Sequence, residues 1–308
     1  MADPIVTLVT SADFPNLTED EAGLPDALRQ RGIEPRVAVW NDPDVDWNAS
    51  DLTVIRSARD YARHVNKFRK WAASVPRLLN QPELVEWNSD KHYLRELAAH
   101  GLPTIPTTWL EPEAHYSKHQ VHTRFPADGD FVVKPAVSSG GRGTGRYTAT
   151  DATSRSEAIL HAQHELRHGR SVMVQRYLDA IDQTGEVSLV FLNGIVSYRV
   201  EKQAMLHPRY RNENEVKVEN VLNNRPPSEH ELVWAERVRQ VLHEVIRERT
   251  GRDHLMLFDR VDLVPAAKDD PNEFYLMEIS LIDSSLYLSA DPQNLEKFAD
   301  AIAVRASW

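Results

Sequence analysis

The stretch FVVKPAVSSGGRGTGRY, Phe131 to Tyr147, decides how the rest of the chain is read. It opens as a strand, Phe131–Val133, with Lys134 at its end; Pro135 has no N–H to donate and stops the ladder. Ser138 to Gly145 is a small-residue loop whose four glycines free many backbone N–H groups to turn toward one object, with Arg142 among them. Amides on a flexible arch beside a lysine suit a polyphosphate. A mobile hairpin loop with a surface lysine has the same composition, and the stretch fits neither G-x-x-x-x-G-K-[ST] nor, cleanly, G-x-G-x-x-G. The flanking elements have to separate the two readings.

Downstream, Tyr147–Thr150 reads as the returning strand, Ser154–His168 as a helix, and Ser171–Gln175 as a third strand leading into Arg176, Tyr177 and Leu178. The result is a β-loop-β-α-β unit small enough to move as a lid. Upstream, the apolar runs Ile5–Val9, Pro35–Trp40 and Asp51–Ile55 alternate with helical stretches, one ending near Arg31 and one over Asp60–Ala73. That alternation indicates a parallel α/β sheet. Thr18-x-x-Glu21 has the form of a capping box opening the first of these helices, and Gly32 ends it. Ligands gather at the carboxyl ends of such strands, which makes Arg56, Ser57 and Arg59 candidates for an anionic group; solvated loop residues would read the same way. Pro82–Trp87 and Asp90–His100 read as short helices. Lys91 falls in the first turn of the second, an unfavourable place for a cation unless an anion lies nearby. The Pro-punctuated run Gly101–Thr107 marks a domain boundary.

Beyond the lid, Glu186–Phe191 and Ile195–Val200 form a hairpin about Asn193-Gly194, with Lys202 just past it. His207–Pro227 reads as an aperiodic polar loop and Glu229–Arg249 as a long amphipathic helix. Phe258–Val264 and Phe274–Ser280 read as strands joined through Pro265–Glu273. Alternation puts Arg260 and Asp262 on one face, and Glu278 with Ser280; a hairpin centred near Asp270 sets Asp262 opposite Glu278. Two facing carboxylates require compensation. A hard cation such as Mg²⁺, typically held by one or two carboxylates plus phosphates, supplies it; so does Arg260 in a plain salt-bridge cluster.

The 308 residues are 41% hydrophobic and 27% charged, enough for two or three subdomains with their own cores. A net charge of −10 argues against a nucleic-acid partner. The absence of cysteine excludes disulfides, thiolate nucleophiles and Cys-based zinc sites, and is compatible with a reducing cytoplasm. No apolar run approaches the ~18 residues of a membrane span and the N-terminus does not resemble a signal peptide, so a cytoplasmic enzyme with no membrane partner is expected. His92, His207, His243 and His254 are scattered, and no G-x-S-x-G elbow is present. Lysines, glycine loop and carboxylate pair, taken in order, describe a nucleoside triphosphate clamped between two sheets with Mg²⁺ bridging its phosphates.

In these features the chain resembles the ATP-grasp superfamily along nearly its whole length. The resemblance implies an α/β (α+β) fold with a parallel α/β domain over 1–105, a small mobile central lid subdomain over 106–178, and an antiparallel sheet subdomain with the metal site over 179–308. It implies that Lys91 (in NSDKHYL) and Lys134 (in FVVKP) hold nucleotide phosphates, with Lys202 as a further phosphate-side lysine. Ser139, Gly140, Gly141, Arg142 and Gly143 then form the lid, Gln175, Arg176, Tyr177 and Leu178 the adenine hinge, and Asp182 the ribose carboxylate. Arg260-x-Asp262 and Glu278-x-Ser280 match the R-x-D and E-x-N elements, which makes Asp262, Glu278 and Ser280 metal ligands and Arg260, Lys202 and Lys134 catalytic. Two positions depart from the pattern: Ser280 replaces a frequent asparagine and Gln175 a common glutamate.

Within the superfamily the chain is similar to compact carboxylate–amine ligases of the RimK type. The stretches LVTSADFPNL, IRSARDY and VVKPAVSSGGRGTGRY are similar to the cyclo-ligase family of D-cycloserine biosynthesis, which closes O-ureido-D-serine. The resemblance further implies ATP and Mg²⁺ as cofactors, a homodimer, and a small amino-acid-like substrate held by Arg56, Ser57, Arg59, Asp283, Ser284 and Ser285. The carboxylate would be activated as an acyl phosphate and attacked by a nitrogen of the same molecule. An intermolecular amino-acid ligase and a catalytically inactive nucleotide-binding regulator are the competing readings.

Overall fold

A computed structural model describes residues 3–206, 211–212, 221–223, 225–268 and 270–308. The N-terminal strands β1 (Ile5–Thr10), β2 (Glu34–Val39), β3 (Leu52–Ser57) and β4 (Leu78–Leu79) form a parallel sheet in the order β2-β1-β3-β4. β3 has every residue buried, as expected of an interior strand covered on both faces. Helices α1 (Leu24–Arg29) and α2 (Val65–Ser74) accompany the sheet. The capping box expected at Thr18 does not form. Glu19–Glu21 is a short 3₁₀ turn, α1 begins only at Leu24, and the Glu21 carboxylate turns inward to Arg56 and Ser57. β3 also runs through Arg56 and Ser57, which were expected just beyond it.

Helices α3 (Pro82–Asn88) and α4 (Tyr93–Ala99) follow, so Lys91 lies in the turn between them rather than in a first helical turn. The unit expected to act as a lid comprises β5 (Thr107–Leu110), α5 (Lys118–His122), β6 (Asp130–Pro135), β7 (Thr144–Thr148), α6 (Ala152–Arg167) and β8 (Val172–Arg176). β5 pairs with β8, and β6 with both β7 and β8, all antiparallel. Phe131, Val133, Tyr147, Ala158 and Val172 form its core beneath α6, whose first turn is capped by Asp151. The returning strand starts at Thr144, earlier than expected, and leaves Gly140, Gly141 and Gly143 at positive φ in the loop while Gly145 joins the strand.

Helix α7 (Ala180–Thr184) leads into β9 (Glu186–Leu192) and β10 (Ile195–Lys202), joined by Asn193 (φ 47°) and Gly194 (φ 83°). Two positive φ values in succession are what a two-residue hairpin turn requires. Much of the expected loop His207–Pro227 lies outside the described residues, namely 207–210, 213–220 and 224. Within it, β11 (Arg211–Asn212) adds to the lid sheet beside β7 and β12 (Val221–Asn223) pairs with β10. Helix α8 (Glu229–Thr250) opens on a true capping box, Ser228 with Glu231. Strands β13 (Phe258–Pro265) and β14 (Phe274–Ser280) complete the antiparallel sheet β12-β10-β9-β13-β14, and α9 (Pro292–Ala306) ends the chain. The Asn88 side chain bonds Ile279 and Leu281, and the Tyr93 hydroxyl bonds Ile279, which fixes α3 and α4 against β14. No described helix is long and apolar enough to cross a membrane.

Candidate active site

One cleft collects residues from the lid, the C-terminal sheet and the end of the N-terminal sheet. Three lysines line it. Lys91 Nζ donates to the Ser138 carbonyl (3.0 Å) and lies 3.3 Å from Glu278. Lys202 Nζ is 3.2 Å from Glu186 and 3.7 Å from Asp262. Lys134 is pushed down to about 8 by burial and then by the charge of Lys91.

The carboxylate pair forms as the strand pattern requires: Asp262 pairs with Glu278 and Arg260 with Ser280 across β13 and β14. The register shifts by one residue between Asp262 and Leu263. Arg260 grips Asp262 through Nε (2.9 Å) and Nη2 (2.7 Å) and donates Nη1 to the Ser285 carbonyl (2.9 Å). Burial would raise the Asp262 carboxyl, but Arg260 and Lys202 outweigh it and hold it below the usual carboxylate range. Asp262, Glu278 and Ser280 offer a hard cation only oxygen donors, and no group of three or more acidic or histidine ligands occurs among the described residues. Two carboxylates and a hydroxyl fit Mg²⁺, which completes its shell with phosphate oxygens and water.

Toward the other end the lining turns apolar, through Ile105, Val132, Leu178, Ile181, Leu206 and Met277. Gln175, Arg176 and Tyr177 border this slot. Asp182 does not line it. Arg146, stacked 3.5 Å above the Tyr177 ring, donates to Asp182 (2.9 Å), and the Tyr177 hydroxyl donates to it as well, so the expected ribose carboxylate is engaged by its own neighbours. In the loop, Ser139, Gly140 and Gly141 line the cleft. Arg142 and Gly143 face away from it: Arg142 donates to the Arg59 carbonyl and Gly143 sits against Pro135.

Beside the end of the N-terminal sheet, Arg59, Asp283, Ser284 and Ser285 line the cleft, whereas Arg56 and Ser57 do not. Arg59 donates to the Ser285 hydroxyl (3.0 Å) and lies 4.0 Å from Asp283. Ser139 of the lid donates to Asp283 (3.2 Å). Burial pushes Asp283 up to about 6 against the opposing pull of Arg59 and Ser139. Arg56 is fully buried, bound to Glu21 through Nε (3.0 Å) and Nη2, and donates Nη2 to the Ser284 carbonyl (3.1 Å). Its guanidinium lies 5.0 and 4.9 Å from the rings of Phe258 and Phe298. Arg56 thus reaches the loop of Ser284 and Ser285 from behind the cleft.

Three polar lining residues escape the sequence reading: Tyr61, Asn88 and Glu186. Only Glu186 carried a signal, because counting back from the Asn193-Gly194 turn sets it opposite Lys202 to within one residue. His164-Glu165-Leu166-Arg167-His168 has the H-E-x-x-H spacing of a zinc-peptidase helix. The structure gives it no third ligand among the described residues. His168 Nδ1 bonds the His164 carbonyl at the helix end, and Glu165 pairs with Arg170.

A RimK domain ATP-grasp protein from Sphaerobacter thermophilus superposes with a TM-score of 0.61 at 17% identity, covering 98% of this chain and all of its own, which shows the ATP-grasp fold. The crystal structure of the D-cycloserine synthetase DcsG superposes with a TM-score of 0.82 at 30% identity, over 98% of this chain and 99% of that one. The fold and the neighbours together define an ATP-grasp ligase. The cycloserine biosynthesis protein DcsG of Streptomyces lavendulae is 31% identical over 310 residues, 98% of each chain, and residues 6–80 match the family described as D-cycloserine synthetase DcsG, N-terminal domain. The chain belongs to the DcsG family.

Proposed function

We propose that the protein couples ATP cleavage to closure of O-ureido-D-serine into D-cycloserine. The observation that carries this is the convergence of Lys91, Lys134 and Lys202 on the Asp262–Glu278 pair, in a chain similar along 98% of its length to a cycloserine biosynthesis protein. The apolar slot from Ile105 to Met277 takes the base, and the three lysines take the phosphates. Asp262, Glu278 and Ser280 would hold Mg²⁺, which when bound offsets phosphate charge.

The substrate carboxylate attacks the γ-phosphate, ADP leaves, and a nitrogen of the same molecule displaces phosphate from the acyl carbon. Arg260, anchored on Asp262 and Ser285, faces the charge that develops on the transferring group. Arg59, Asp283 and Ser285 orient the substrate so that its own nitrogen lies near the acyl carbon, replacing a second substrate site. The lid, latched through Ser139 to Asp283, keeps water from the acyl phosphate. On this reading 1–105 contribute the substrate end, 106–178 the lid and 179–308 the metal site, in a cytoplasmic enzyme.

The test is phosphate release from Mg-ATP with O-ureido-D-serine as sole acceptor, with the product identified by mass spectrometry. Release with that compound and a product lacking any second amine is expected. Release only with pairs of amino acids, or none with any carboxylate, overturns the proposal.

A further inference from the structure

Gln175 lies on the cleft face of β8, opposite Val132 of β6 and Thr107 of β5. The residue is 4% exposed, so protein groups must supply most of its amide's partners away from the cleft. The Thr107 hydroxyl donates its one proton to the Ile105 carbonyl (2.8 Å). Its oxygen can therefore only accept at the 2.8 Å contact with the Gln175 amide. The end of Gln175 facing Thr107 must be the NH₂, and Oε1 is left for the cleft, with no hydrogen bond from any described residue. The direction of the Thr107 bond fixes this orientation, whatever names the amide atoms carry.

We infer that Thr107 is a positioning residue that locks Gln175 as a hydrogen-bond acceptor, and so sets the preference for a 6-amino over a 6-oxo purine. The inference rests on the ligase reading for the presence of a nucleotide in the apolar slot. A 6-amino group can donate to Oε1; a 6-oxo group presents a second acceptor and leaves both oxygens unpaired in a site with little water. A glutamine free to rotate would serve either base, since an amide offers a donor at one end and an acceptor at the other. Discrimination therefore lies in the relay Ile105–Thr107–Gln175 rather than in Gln175 alone.

The experiment compares ATP with ITP, which exchanges the 6-amino for a 6-oxo group and changes nothing else on the ring but N1 protonation. Calorimetric binding with Mg²⁺ would be measured on the wild type, Thr107→Val and Thr107→Ser, with melting curves for each. The wild type is expected to favour ATP by about tenfold or more, the scale of one unpaired buried polar group. Thr107→Val should bring the two nucleotides toward parity while still binding both, and Thr107→Ser, which keeps the hydroxyl, should retain the preference. Equal binding of ATP and ITP by the wild type, or an unchanged preference in folded Thr107→Val, overturns the inference and leaves the ligase reading standing. Binding of neither nucleotide to the wild type overturns both.

Discussion

Arg56 with Glu21 and Arg260 with Asp262 are both buried arginine–carboxylate pairs, and their arginines donate to neighbouring carbonyls of one loop, those of Ser284 and Ser285. Around Arg56 the surroundings are closed: two aromatic rings flank it and neither partner borders the cleft. Around Arg260 they are open. Lys202 stands 3.7 Å from the same carboxylate, Glu278 faces it across the ladder, and all four residues line the cleft. A pair walled off from the cleft can only hold structure. A pair with a second cation and a second carboxylate within reach can exchange partners when a charged ligand enters, and the difference lies in the neighbours, not in the pair.

Removing the cation from the sealed pair should have the largest effect. Arg56→Met strands Glu21 in the core, a loss of about 3–5 kcal/mol of folding stability by denaturant titration. Adding Glu21→Gln should restore part of it. The pH dependence has a definite sign. Burial would raise Glu21, but Arg56, Arg59 and Ser57 hold it below 4.5, so its contribution is present above that pH and fades as pH falls through the folded value. A stable Arg56→Met with lost turnover would break the comparison by making Arg56 a substrate group.

The open pair should fail differently. Asp262→Asn is expected to fold and to release phosphate roughly 10²–10³-fold more slowly, the scale of one lost transition-state contact. Full turnover in that variant would overturn the proposal that Asp262 holds a metal. The smallest effect sharpens the cleft side of the contrast. Lys134 titrates near 8 in the free protein, and polyphosphate binds its charged form, so nucleotide affinity should be flat below that pH. Above it, affinity should fall by up to about tenfold per pH unit, until the raised value of the bound state is reached. Calorimetry on both sides of pH 8 measures the slope, and Lys134→Met should abolish it.

The open pair was legible because its geometry is mostly written in alternation: period two along β13 and β14 and a turn near Asp270 bring Asp262 to within one residue of Glu278, and the register shift beyond Asp262 completes the pairing. The hairpin at Asn193-Gly194 was legible from its turn, and the parallel pairing of the first strands from their alternation with helices. The sealed pair was not. Glu21 sits three residues after a threonine and imitates a helix cap, while its real partners are 35 and 36 residues away. Arg56 and Ser57 looked like cleft residues because a strand end is uncertain by a residue or two, and here that margin separates the lining from the wall behind it. Asp182 and Arg142 fall outside the cleft lining for a related reason: the groups that engage them, Arg146 and the Arg59 carbonyl, are contacts of tertiary structure alone.

The single shift of register in the last hairpin changes what one strand can deliver. Along β14 the core receives Phe274 and Leu276, then Ile279, with Leu281 just past its end; the parity switches from even to odd between Leu276 and Ile279. A straight ladder over the same residues would turn Glu278 inward beside Val261 and bring Ile279 to the cleft. Because the frame changes there, Met277 and Glu278, consecutive in the chain, both border the cleft. A single peptide step carries the strand from an apolar seat to an anionic one, so the spacing between the two halves of the cleft is set by covalent geometry and not by packing.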